Sequence, residues 1–120
     1  MTPAEVQSWL DRYVEAWRSY EQDAIRSLFT KDATYAFHPW DKPLRGSSAI
    51  AKNWLADQDS PGSWQASYRP EIVEGNRATA TGTTTYSDGR VFWNLFELEF
   101  DDDGRCSRFV EWFMQQPSEG

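Results

Sequence analysis

Residues 90–115, with the sequence RVFWNLFELEFDDDGRCSRFVEWFMQ, hold two strand-like segments around which the rest of the chain is organised. Both segments are rich in aromatic and branched side chains, which is typical of β-strands. The acidic sequence DDDG at 101–104 separates them and has the composition of a turn. The stretch therefore predicts a long antiparallel hairpin.

The register of this hairpin decides which side chains share a face, because a slip of one residue moves every side chain to the other face. A four-residue loop at 101–104 brings opposite charges and large apolar side chains into cross-strand pairs, which stabilise sheets by roughly 0.2–1 kcal/mol each. A register shifted by one would set Leu95 against Glu111, so we expect the four-residue loop. Its pairs are Phe100 with Arg105, Glu97 with Arg108, Leu95 with Val110, Asn94 with Glu111, and Trp93 with Trp112.

Glu111 is the most informative polar residue in this register. It lies on the face that carries Phe96, Phe109 and Phe113, opposite Asn94. A carboxylate in such surroundings should have a raised pKa, which suits a general acid or base near neutral pH. The competing interpretation is a glutamate that only satisfies the hydrogen bonds of the core, since an unsatisfied buried group costs about 1–3 kcal/mol.

The other face of the hairpin predicts a subunit interface. Three helices can cover only one side of the sheet, and the uncovered side would expose an apolar patch larger than the ~300–600 Å² found on soluble monomers. A twofold homodimer buries the same patch on both subunits. The residues of this back face are Trp93, Leu95, Val110, Trp112 and Met114.

The composition describes one soluble domain over residues 1–120. A net charge of −7 argues against a nucleic-acid or membrane surface, since both partners need clustered cationic side chains. No apolar run approaches the ~18 residues of a membrane span, and the N-terminus lacks a signal-peptide pattern. The single cysteine, Cys106, excludes an internal disulfide, and together these features favour a cytoplasmic protein.

The aromatic content is high, with seven Trp, five Tyr and seven Phe. Seven indoles are hard to bury in one small core. We therefore expect an aromatic-lined cavity or an aromatic subunit interface in addition to an aromatic core.

Periodicity divides the chain into a helical N-terminal part and a C-terminal run of strands, which is the α+β pattern. Thr2, Pro3 and Glu5 form a capping signal for the first helix. Helical spacing gives way to strand alternation at the loop DQDSPGS, residues 57–63. The expected elements are helices near 3–19, 23–30 and 47–57, a short strand at 33–38, a loop at 40–45, and four long antiparallel strands after residue 63.

A second hairpin is predicted at Asp88-Gly89, a strong signal for a two-residue turn. This turn sets Thr83 opposite Asn94 and Thr81 opposite Phe96. Threonines of this strand are therefore expected on the face that holds Glu111.

Four segments carry a family resemblance: RYVEAW at 12–17, LFTKDATYAFHP at 28–39, PLRGSSAIAKNW at 43–54 and FDDDGRCSRFVEWF at 100–113. In their order and spacing the chain resembles the nuclear transport factor 2-like superfamily, and within it the SnoaL-like proteins. The resemblance implies a cystatin-like cone: a curved antiparallel sheet wrapped by three N-terminal helices, with a pocket at the open end and frequent dimerisation through its back. Similar members include ketosteroid isomerase, scytalone dehydratase, limonene epoxide hydrolase and polyketide cyclases, so the fold does not determine the function.

The resemblance to ketosteroid isomerase implies only part of that enzyme's site. Tyr13 stands where the isomerase has its oxyanion-hole tyrosine, and either His38 or Phe37 occupies the place of its general base. Phe96 stands at the position of the protonated aspartic acid and cannot donate a hydrogen bond. A steroid isomerase with a full oxyanion hole is therefore not expected.

The resemblance to limonene epoxide hydrolase implies a catalytic carboxylate at Glu111. The arginine and the second aspartate of that enzyme have no counterpart on the strand at 77–86, which offers threonines and small residues instead. This set of residues is incomplete as well.

These observations lead to two hypotheses. In the first, the chain is a cofactor-independent isomerase, dehydratase, cyclase or hydrolase for a small hydrophobic molecule, with Glu111 as base and Tyr13 or His38 as proton donor. In the second, it is a non-catalytic ligand-binding or dimerisation module of the same fold. No metal site or cofactor is expected, because the sequence has no metal-ligand or nucleotide motif. The residues expected to line the pocket are Trp17, Tyr35, Trp54, Asn94, Phe96, Phe109 and Phe113.

Overall fold

The computed structural model describes residues 1–118 and contains three helices packed on one face of a curved six-stranded sheet. The predicted α+β class and the three helices are confirmed. The sheet is not closed, because its order is β2-β1-β6-β5-β4-β3 with free edges at β2 and β3. The elements are α1 (Pro3–Ser19), α2 (Gln22–Ser27), β1 (Phe29–Ala36), β2 (Leu44–Arg45), α3 (Ser47–Ala56), β3 (Trp64–Glu74), β4 (Arg77–Tyr86), β5 (Val91–Phe100) and β6 (Cys106–Gln115).

The first helix begins as its capping signal predicts. The Thr2 hydroxyl accepts from the backbone N–H of Glu5 at 3.2 Å, and the Glu5 carboxylate accepts from the N–H of Thr2 at 3.0 Å. The helix buries Val6, Trp9 and Leu10 against the sheet. This first helix forms one wall of the space in which the candidate site lies.

The sheet is mixed, which corrects the prediction of a wholly antiparallel sheet. Strand β1 runs parallel to β6 and pairs antiparallel with the two-residue strand β2. That short strand lies within residues 40–45, for which the sequence predicts a loop, and β1 begins four residues before its predicted start, because helix α2 already ends at Ser27. The parallel pairing closes the N-terminal half of the chain against its last strand, a contact that local periodicity does not encode.

The predicted register of the β5–β6 hairpin is wrong by two residues, yet the side chains of β6 from Arg108 onward lie on their predicted faces. The loop has three residues, 102–104, because Asp101 N–H donates to the Arg105 carbonyl at 2.8 Å. Ser107 is then an extra residue in β6, so that Phe100 pairs with Cys106 and the strand resumes its alternation afterwards. The two one-residue shifts add up to an even number, which preserves the face of each later side chain.

The predicted pairs of this hairpin are replaced by pairs two residues further along β6. Glu111 lies opposite Phe96, Asn94 opposite Phe113 and Leu95 opposite Trp112. The three-residue loop, which sets Cys106 opposite Phe100, turns this cysteine from the predicted back face into the core, where it is fully buried.

The predicted register of the β4–β5 hairpin is wrong by one residue, and here the faces change. Tyr86 N–H donates to the Arg90 carbonyl at 2.9 Å, so the loop holds the three residues 87–89, with Gly89 in the left-handed region at φ 96°. Thr83 therefore lies opposite Trp93, and Thr81 opposite Leu95. Both threonines belong to the back of the sheet instead of the face that holds Glu111.

The back of the sheet carries exposed apolar side chains. Trp93, Leu95, Trp112 and Met114 are 55%, 38%, 48% and 73% exposed, whereas Val110 is buried. The Trp112 indole N–H donates to Glu97 at 2.6 Å on the same surface. None of the helices within residues 1–118 is long and apolar enough to cross a membrane.

Candidate functional site

A cavity of about 310 Å³ lies between helices α1 and α3 and the concave face of the sheet. It draws side chains from α1, α3, β1 and all of the four long strands, so no single segment of the sequence encodes it. All five tyrosines of the chain are among its lining residues. The lining residues are Tyr13, Trp17, Tyr20, Tyr35, Phe37, Asn53, Trp54, Asp57, Asp59, Tyr68, Thr84, Tyr86, Phe92, Asn94, Glu111 and Phe113.

Glu111 is the carboxylate on the sheet side of this cavity. Its Oε2 accepts a hydrogen bond from Asn94 Nδ2 at 2.8 Å across the hairpin. Its Oε1 receives no hydrogen bond from residues 1–118, and in that range no fully buried side-chain oxygen lacks a partner. Oε1 must therefore be open to the cavity.

Burial raises the pKa of Glu111 to about 7. The hydrogen bond from Asn94 and the nearby charge of His38 both favour the ionised carboxylate and lower the pKa, but desolvation outweighs them. Glu111 can therefore give up and take up a proton close to neutral pH, which an ordinary glutamate does not do.

A chain of hydrogen bonds supports Glu111 from behind. Thr84 Oγ1 donates to Asn94 Oδ1 at 3.0 Å, so its only proton is used there. Tyr68 Oη, 2.7 Å from Thr84 Oγ1, must then donate to the threonine. All donors in the sequence Tyr68, Thr84, Asn94 therefore point toward Glu111, and such aligned chains polarise and strengthen one another.

Gly82 makes room for this chain. It pairs with Tyr68 across β3 and β4, and a Cβ atom at this position would collide with the Ser67 carbonyl oxygen and with the Tyr68 ring, whose Cδ1 would be 2.6 Å away. A glycine is needed because the backbone of β3 approaches β4 closely there. The approach holds the Tyr68 hydroxyl next to Thr84.

Two further hydroxyls form a buried pair in the cavity wall. Tyr13 Oη and Tyr35 Oη are 3.1 Å apart, and both rings stack on Phe109, with centroid separations of 5.4 and 4.3 Å. Burial is the main cause that raises the pKa of both tyrosines well above 10. The next cause is the charge of Glu111 for Tyr35 and the electrostatic repulsion by Tyr35 for Tyr13. The two hydroxyls carry one proton each, and their mutual hydrogen bond uses only one of these protons. The other O–H can therefore donate to another acceptor.

The opposite side of the cavity is formed around Asp59. Its Oδ2 accepts from Trp17 Nε1 at 3.1 Å, and its backbone N–H donates to Tyr20 Oη at 2.8 Å. Trp17 in turn stacks on Trp64 with their ring centroids 3.5 Å apart. The loop after α3 is thereby tied to the end of α1, and Asp57 and Asn53 beside it are exposed.

His38 lies outside the lining of the cavity. Its Nδ1 is 2.8 Å from Asp41 Oδ2, its ring stacks on Trp40, and it contacts Phe113, which does line the cavity. Phe37 faces the cavity in its place. Of the two residues between which the sequence left the choice open, Phe37 is therefore the one that lines the cavity.

The residues expected from sequence fall into two groups. Tyr13, Trp17, Tyr35, Trp54, Asn94, Glu111 and Phe113 line the cavity, whereas Phe96 and Phe109 are fully buried and lie beneath its wall in the core. Sequence reasoning missed Thr84 because the loop length of the β4–β5 hairpin was misjudged, and it missed Tyr68 because it predicted no register for β3. It also missed Asp57 and Asp59, which it assigned only to a loop. Within residues 1–118, no group of three or more His, Cys, Asp or Glu side chains is arranged to hold a metal ion.

Known structures share this architecture. A nuclear transport factor 2-like protein of unknown function from Burkholderia xenovorans is similar over 98% of this chain and 88% of its own, with a TM-score of 0.74 and 18% identity. A putative ketosteroid isomerase from Kribbella flavida is similar over 98% and 85%, with a TM-score of 0.72 and 18% identity. An LEH-like epoxide hydrolase of M. tuberculosis is similar over 93% and 84%, with a TM-score of 0.69 and 17% identity. At these identities the likeness establishes the fold alone.

The fold is that of the nuclear transport factor 2-like proteins, as the sequence predicted. The model of the SnoaL-like domain family matches residues 10–109, and the chain belongs to that family. No curated protein sequence matches it.

Proposed function

We propose that this SnoaL-like protein is a cofactor-independent acid–base enzyme that acts on a small molecule in the cavity, with Glu111 as the proton-transferring group. The observation that carries the proposal is the state of this carboxylate. One oxygen is fixed by Asn94, the other is open to the cavity, and the pKa is about 7. A base with such a pKa is half ionised near neutral pH and can both abstract and return a proton.

The tyrosine pair supplies the complementary group. Tyr13 and Tyr35 stay protonated because of their raised pKa values, and their free O–H can donate to an oxygen on which negative charge develops. Phe96 offers no second donor, so the arrangement differs from an oxyanion hole made by two acids. Tyr13 is favoured over His38 as the donor, because His38 is outside the lining and held by Asp41.

The chemistry that fits is proton transfer at carbon or activation of a water molecule. Glu111 can remove a proton next to a carbonyl and return it to another carbon, which is isomerisation. It can also remove a proton while a leaving group departs from the neighbouring carbon, which is elimination. In a hydrolysis it would deprotonate the water molecule that attacks the substrate. Two solved structures of the same fold are described as enzymes of these reaction classes, one as a putative ketosteroid isomerase and the other as an LEH-like epoxide hydrolase. They support the reaction class and leave the substrate open.

The first experiment measures the base directly. Proteins labelled with ¹³C at the glutamate carboxyl are titrated by NMR, and one resonance is expected to titrate near pH 7 and to be lost in Glu111→Gln. Exchange of α-protons of small cyclic ketones in D₂O then tests for proton abstraction, with Glu74→Gln as the control because Glu74 is exposed at the end of β3. We expect exchange with wild type and with the control, and none above solvent background with Glu111→Gln.

A second candidate function is a non-catalytic ligand-binding module, favoured by the incomplete match to either enzyme's residue set. The two candidates differ in the behaviour of Glu111→Gln. If the glutamate serves only the core, the substitution should leave ligand binding intact, and no ketone should exchange faster with wild type than with buffer. An ordinary titration of Glu111 near pH 4.5 would also contradict the catalytic proposal.

The back of the sheet supports a proposal about assembly. Trp93, Trp112 and Met114 are about half exposed or more, and a twofold axis through this face would bury the same side chains on both subunits. A second copy of the chain is therefore the proposed partner. The site itself lies on the other face, so a dimer leaves the cavity accessible.

A further inference from the structure

The charges that line the cavity have one sign. Its lining includes three carboxylates, Asp57, Asp59 and Glu111, and within residues 1–118 it contains no Lys, Arg or His. The remainder of the lining consists of aromatic rings and of the uncharged polar side chains of Asn53, Thr84 and Asn94. An anionic ligand would meet a negative field here, and the chain as a whole carries a net charge of −7.

The two aspartates belong to the more exposed part of the cavity lining, which we take as its mouth. Asp57 is exposed, and Asp59 is partly exposed with Oδ2 fixed by Trp17 and its backbone fixed by Tyr20. Glu111 lies on the sheet side, where burial dominates its electrostatics. The cavity thus has an acidic mouth in which Asp59 is held in place, and a largely aromatic interior that includes the proposed base.

Two rings of the cavity lining already contact a cation of the chain itself. The guanidinium of Arg90 lies 4.4 Å from the centroid of Tyr86 and 5.8 Å from that of Phe92, both of which line the cavity. Arg90 is itself paired with Asp88 at 2.8 Å, so its charge is locally compensated. Aromatic faces attract cations through their quadrupole, most strongly where water is partly excluded.

We infer that the ligand of this cavity is an organic cation, an amine or quaternary ammonium compound whose charged end lies at Asp57, Asp59 and the surrounding rings while its apolar end reaches toward Glu111. The inference rests on the proposed function, since it takes the cavity as the ligand site, and it replaces the expectation of a purely hydrophobic ligand. It also gives the three carboxylates different roles. The aspartates recognise the charge, and the glutamate remains free for proton transfer.

A pair of isosteric probes separates charge from shape. The cation meta-(trimethylammonio)phenol and the neutral meta-tert-butylphenol differ only in whether the branching atom is a charged nitrogen or a carbon. Binding of each to the intact protein is measured by isothermal titration calorimetry at low and high salt. We expect the cation to bind about tenfold more tightly, as cation–π and carboxylate contacts in a partly dry site allow, and the preference to shrink with salt.

The variants locate the charge recognition. Asp57→Asn combined with Asp59→Asn keeps the shape of both side chains, and the amide oxygen introduced at position 59 can still accept from Trp17. The double variant should lower the preference for the cation, leaving only the share that the aromatic rings supply, and should leave the affinity for the neutral probe unchanged. Asp102→Asn, which changes an exposed carboxylate in the loop at the other end of β5, is the control and should retain the preference.

Several results would overturn the inference. They are equal or tighter binding of the neutral probe, no binding of either probe, or a cation preference that is undiminished in the double variant. The ketone exchange assay distinguishes this failure from failure of the proposed function. Exchange that depends on Glu111 without cation preference removes only the ligand class, whereas cation preference without exchange removes only catalysis.

Discussion

The raised pKa of Glu111 makes a quantitative prediction about stability. The folded protein has a pKa of about 7 at this site against an ordinary value of 4.5, and each pH unit of difference corresponds to about 1.4 kcal/mol. Because the folded state binds this proton more tightly than the unfolded state, the wild type loses stability as the pH rises from about 4.5 to about 7. The cost of ionising Glu111 is about 1 kcal/mol at pH 5 and about 3 kcal/mol at pH 8.

The substitution Glu111→Gln removes this cost without removing the hydrogen bond, because a glutamine Oε1 can still accept from Asn94. Urea denaturation of both proteins at pH 5 to 8 gives two curves of unfolding free energy. We expect their difference to change by about 2.5 kcal/mol over this range in favour of glutamine, independent of any constant offset. The same comparison with Glu74→Gln should give a difference that does not vary with pH. Parallel curves for wild type and Glu111→Gln would refute the reasoning, since they would mean that Glu111 is not desolvated in the fold.

Two further predictions concern the support of the site and the back of the sheet. Thr84→Val leaves the Tyr68 hydroxyl without its acceptor and should lower the unfolding free energy by about 1–3 kcal/mol. The control Thr85→Val, at the exposed neighbouring position, should change the unfolding free energy by less than about 0.5 kcal/mol. Equal effects of the two substitutions in urea denaturation would count against the hydrogen-bond chain. Trp112→Glu places a charge in the exposed apolar back face and should give a monomer or an insoluble protein, while Trp40→Glu, 79% exposed in the loop after β1, should sediment like wild type. A wild type that sediments as a monomer at micromolar concentration would contradict the proposed dimer.

Glu111 was predicted on the correct face of the sheet but with the wrong cross-strand partner. The predicted loop was one residue too long, and the bulge at Ser107 was not foreseen. Each of the two errors shifted the pairing by one residue in the same direction, so the register is wrong by two residues. Because side chains alternate with a period of two, a shift of two leaves each later side chain on its predicted face. Asn94 still reaches Glu111, but diagonally instead of from the directly opposite position.

The threonines of β4 show the opposite case. A single misjudged residue in the loop at 87–89, with no bulge to compensate, moved Thr83 to the back of the sheet and brought Thr84 inward. Turn sequences such as Asp-Gly suit both a two-residue and a three-residue loop, because a glycine with positive φ is used in each. The polar support of the candidate base could therefore not be assigned from the sequence.

The α+β class, the three helices, the long C-terminal strands and the inward face of Glu111 could all be predicted from local sequence patterns. These features depend on capping signals and on local periodicity, which the chain carries within each element. Three features emerged only from the three-dimensional fold: the parallel pairing of β1 with β6, the hydrogen-bond chain behind Glu111 and the position of His38 outside the cavity lining. The fold also brought Asp57 and Asp59 from a loop to the mouth of the cavity. Those outcomes depend on loop backbone conformation, on a bulge and on contacts between distant segments, and the physical reason is the same for each: alternation specifies which side of a strand a residue takes, but not which residue of another strand lies beside it.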